Sequence, residues 1–65
     1  MFAIFEKGTD EVLRTAFEVK DVKQGETGIT LDTARLQLAN YPNPADDHET
    51  HIHNRAVAAI AVLEK

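Results

Sequence analysis

The sequence predicts an α+β fold: an N-terminal β-hairpin, extended by a short third strand, packed against two helices of which the C-terminal one is the longer. Three observations carry this. Phe2, Ile4 and Phe5 crowd the start of the chain and are followed by the turn residues Lys7-Gly8-Thr9-Asp10. Residues 11–20 alternate, with Leu13, Thr15, Phe17 and Val19 on one side and Arg14, Glu18 and Lys20 among those on the other. Two segments of helical period follow, separated by Asn40-Tyr41-Pro42-Asn43-Pro44.

The hairpin spans roughly residues 2–7 and 11–20. A helix over Glu11–Val22 is the competing reading, with Thr9 as N-cap and Gly25 beyond its end, and it would make the protein a small three-helix domain. Lys20 and Lys23 would then interrupt its apolar face. A lone first strand would also leave its backbone groups unpaired, so the hairpin is preferred. Val22–Gly28 carries two glycines and reads as a loop. Ile29-Thr30-Leu31 adds a brief strand. Thr30 then caps a helix from Leu31 to Asn40, where Leu31, Ala34, Leu38 and Tyr41 share one face. The last helix starts near Ala45–Asp47, with Asp46 or Asp47 as N-cap and Asp46, Asp47 and Glu49 near the positive end of its dipole. Ile52, Ala56, Ala59, Ile60 and Leu63 form its main apolar face, flanked by Val57 and Val62 and backed by Ala58 and Ala61.

Sixty-five residues make one domain, 1–65, and a chain of this size buries only about 60% of its unfolded surface. With no Cys it has neither disulfide nor thiolate. The net charge of −4 is spread evenly and includes no basic stripe, which argues against nucleic-acid binding. The apolar run Ala56–Leu63 is too short to span a membrane, and MFAIFEK lacks the pattern of a signal peptide, so a cytoplasmic protein is expected.

Catalysis finds no support. Ser is absent, which removes a Ser-His-Asp arrangement, and Gly8, Gly25 and Gly28 form no phosphate-binding loop. No cofactor is expected. The cluster His48, His51 and His53 is the feature closest to a site. Asp47 with His51 at i, i+4 and His48 with His51 at i, i+3 make Asp47, His48 and His51 the candidate metal ligands. His53 lies on another side of the helix, and the spacing is not that of a zinc protease.

The apolar run carries more weight than the histidines. So few other residues can wrap it that Val57, Ala58, Ala61 and Val62 are the expected interface, through which the C-terminal helix would pair with a second copy or another protein. The leading functional expectation is a small acidic non-enzymatic interaction module: a regulator, inhibitor or accessory subunit that binds a larger protein, of the kind bacteria and their phages use. A metal- or pH-responsive binding protein built on His48 and His51 is the alternative, and a nucleic-acid-associated factor ranks last.

Overall fold

A computed structural model describes residues 1–64. Strand β1 is Phe2–Glu6, β2 is Val12–Ala16 and β3 is Glu26–Thr30; helix α1 is Leu31–Asn40 and α2 is Asp47–Leu63. The sheet order is β2-β1-β3, with both pairings antiparallel. The α+β expectation holds, with a three-stranded sheet and the C-terminal helix the longest element.

The helix starts follow local chemistry. The Thr30 hydroxyl accepts from the Thr33 N–H at 3.2 Å, and Asp46 Oδ1 accepts from the Glu49 N–H at 2.8 Å. Each cap satisfies one of the donors that a helix start leaves free. The strands differ more from expectation. β2 stops at Ala16, because the chain bends at Phe17 and makes one turn of 3-10 helix over Val19–Asp21. β3 begins at Glu26, inside the segment that reads as a loop, and pairs with β1 along its whole length. A bulge separates the pairs Ile4–Arg14 and Phe5–Val12, which leaves Leu13 as the extra residue of β2.

The bulge decides which residues reach the core. Ala3, Phe5, Ile29, Ala34, Ala56 and Ala59 form the buried cluster between sheet and helices, with Val12 and Leu38 packed against it. Ile4 is also fully buried but belongs to the opposite face of the sheet. The two helices are tied at both ends. Arg35 donates to Glu64 Oε1, and His53 Nδ1 lies 2.8 Å from the Tyr41 carbonyl at the end of α1. Since a carbonyl only accepts, His53 carries its hydrogen on Nδ1.

Phe5 is the largest fully buried side chain, and alanines supply much of the rest of the cluster. Phe5→Ala is therefore expected to cost about 3–5 kcal/mol and to lower the melting temperature by roughly 15 °C or more. Thermal melts followed by far-ultraviolet circular dichroism check this.

Candidate functional site

The face of the sheet away from the helices carries Phe2, Ile4 and Glu6 on β1, Arg14 and Ala16 on β2, and Glu26, Gly28 and Thr30 on β3, because residues paired across antiparallel strands share a face. Arg14 stands opposite Ile4, and Glu26 stands opposite Glu6. To meet, their side chains must cross β1. Arg14 Nη1 donates to Glu26 Oε2 at 2.8 Å and Nη2 to Glu26 Oε1 at 2.6 Å, the two-pronged contact that a guanidinium makes with a carboxylate. Nη2 also donates to the Asp21 carbonyl at 2.9 Å, and the Lys23 N–H donates to Glu26 Oε1 at 2.9 Å. One ion pair thus holds the connection between β2 and β3 at two places.

The same connection fits the sheet by shape. A Cβ on Gly28 would lie 2.9 Å from Val22 Cγ2, so the missing side chain is what lets Val22 settle there. Gly25 sits at φ +83° in the turn that closes with the Glu26 N–H donating to the Lys23 carbonyl, and its own carbonyl accepts from the Lys7 N–H at 2.8 Å. Ile4, fully buried, stands in register between Arg14 on β2 and Gly28 on β3, the position against which Val22 and Phe2 lie.

Fixing the connection leaves its first residues outside. Phe17 is 77% exposed and Val19 70%, and Leu13 on the bulge is 50% exposed. Thr15 is exposed as well, so Leu13, Thr15 and Phe17 make an open row along the outer strand of the sheet. This row is the alternating one in the sequence, but the pattern alone does not show that it faces solvent. The bulge sends Val12 inward in place of Leu13.

The four residues expected at a C-terminal interface differ in exposure. Ala58 and Val62 pack against the core, which places Ala58 on the flank of α2 and not at its back. Val57, 46% exposed, and Ala61 remain open, in an outer stripe that also includes Thr50, Asn54 and Glu64. The histidines are dispersed. His48 is exposed, His51 has its Nε2 buried with no hydrogen-bond partner, and His53 is engaged by α1. Asp47 is exposed beside the cap. Among the described residues no group of three or more His, Asp or Glu is placed to hold a metal ion. An open depression at the start of α1 is lined by Met1, Thr30, Leu31, Asp32 and Leu63, and its one hydroxyl is already used in capping. No helix among the described residues is long and apolar enough to cross a membrane.

Compared with protein-family models, curated proteins and solved structures, the chain gives no match.

The ion pair fixes a pH dependence. The hydrogen bond from Arg14, then that from the Lys23 N–H, hold the Glu26 carboxyl well below the usual carboxylate range, at about 2, against the opposing effect of burial; Arg14 is raised in turn, chiefly by Glu26. A depressed carboxyl contributes stability that is complete above its ordinary value, about 4.5, and is lost as the pH falls toward 2. Glu26→Gln is expected to lower stability at pH 7 and to flatten the loss between pH 5 and 2. Urea midpoints measured across that range check it, and an unchanged slope would show that other carboxyls carry the acid sensitivity.

Proposed function

We propose that this protein is a non-enzymatic protein–protein interaction module, a small regulator or accessory subunit that works by docking the outer edge of its sheet on another chain. The observation that supports this reading is the exposure of Phe17 and Val19 on a connection that is itself held down by Arg14, Glu26 and Val22. Large apolar side chains on a restrained backbone suit binding, because little conformational entropy is lost when they are covered. Aromatic anchors of this kind often carry most of the energy of a contact. Strand β2 lies at the edge of the sheet, so its outer backbone groups are free to pair with another polypeptide.

Two further observations support it. Arg14, the one charge within Val12–Ala16, is folded across the sheet and does not guard the edge. The other edge, β3, exposes no large apolar residue and runs straight into α1.

A photo-crosslinking amino acid at position 17 tests the reading in cells that express the protein. Discrete adducts are expected from position 17 and not from position 36, a control site on α1 where Leu36 is also well exposed. No adduct from position 17, or the same adducts from both positions, would sink the reading.

A further inference from the structure

We draw no further inference here: the strongest candidate, the open row of Leu13, Thr15 and Phe17 along the β2 edge of the sheet, belongs to the surface already described, and nothing in the structure shows what covers it.

Discussion

The contact between Arg14 and Glu26 is the constraint on which the rest of this structure depends. It crosses β1, bonds both outer strands to each other, and takes hold of the chain again at the Asp21 carbonyl. The sheet therefore carries buried residues on both faces, although α1 and α2 pack on one of them. On one side α1 and α2 bury Ala3, Phe5 and Ile29. On the other, Ile4 is buried in register between Arg14 and Gly28, where Val22 of the connection comes close. Exposed ion pairs such as Lys20 with Glu18 contribute little because water and salt screen them. The Arg14 pair differs in having planar two-pronged geometry and further partners on both sides, which makes it a small network.

This constraint links fold to function through what it leaves outside. A connection pinned at Asp21, Val22 and Lys23 cannot fold Phe17 and Val19 back over the sheet. Their exposure follows from the clamp, and so does the uncharged edge of β2, since Arg14 has been spent on the other face. A surface that is apolar, open and restrained is one that another chain can cover at low entropic cost. The helices pack beneath the sheet, and their own exposed large apolar side chains are Leu36 on α1 and Val57 on α2.

The sequence made the local features legible and hid the long-range ones. Thr30 and Asp46 announce their helices because a cap needs only the next three residues, and the Pro42 and Pro44 segment separates the helices by backbone chemistry alone. Most of β3 reads as a loop in the sequence, because Gly25 and Gly28 look like turn residues. Gly28 in fact makes room for Val22, and Glu26 is held by an arginine 12 positions earlier. The alternation of residues 11–20 was visible, but a single bulged residue, Leu13, changed which side chains turn inward. On α2 the small side chains concealed the flank: Ala58 looks like the back of a helix until a neighbour packs against it. The separation of His53 from the other histidines could be read from helical geometry, whereas its partner, the Tyr41 carbonyl, could not.

Backbone relaxation of the Arg14→Met variant tests the role of the clamp most directly, because methionine keeps a long apolar stem at this position and removes the charge and the donors. The account predicts that amide order parameters over residues 17–23 fall from about 0.85 to below about 0.6, while α1 and α2 keep their values. If that segment stays as rigid as in the natural protein, the Arg14–Glu26 contact does not hold it, and the exposure of Phe17 and Val19 must have another cause.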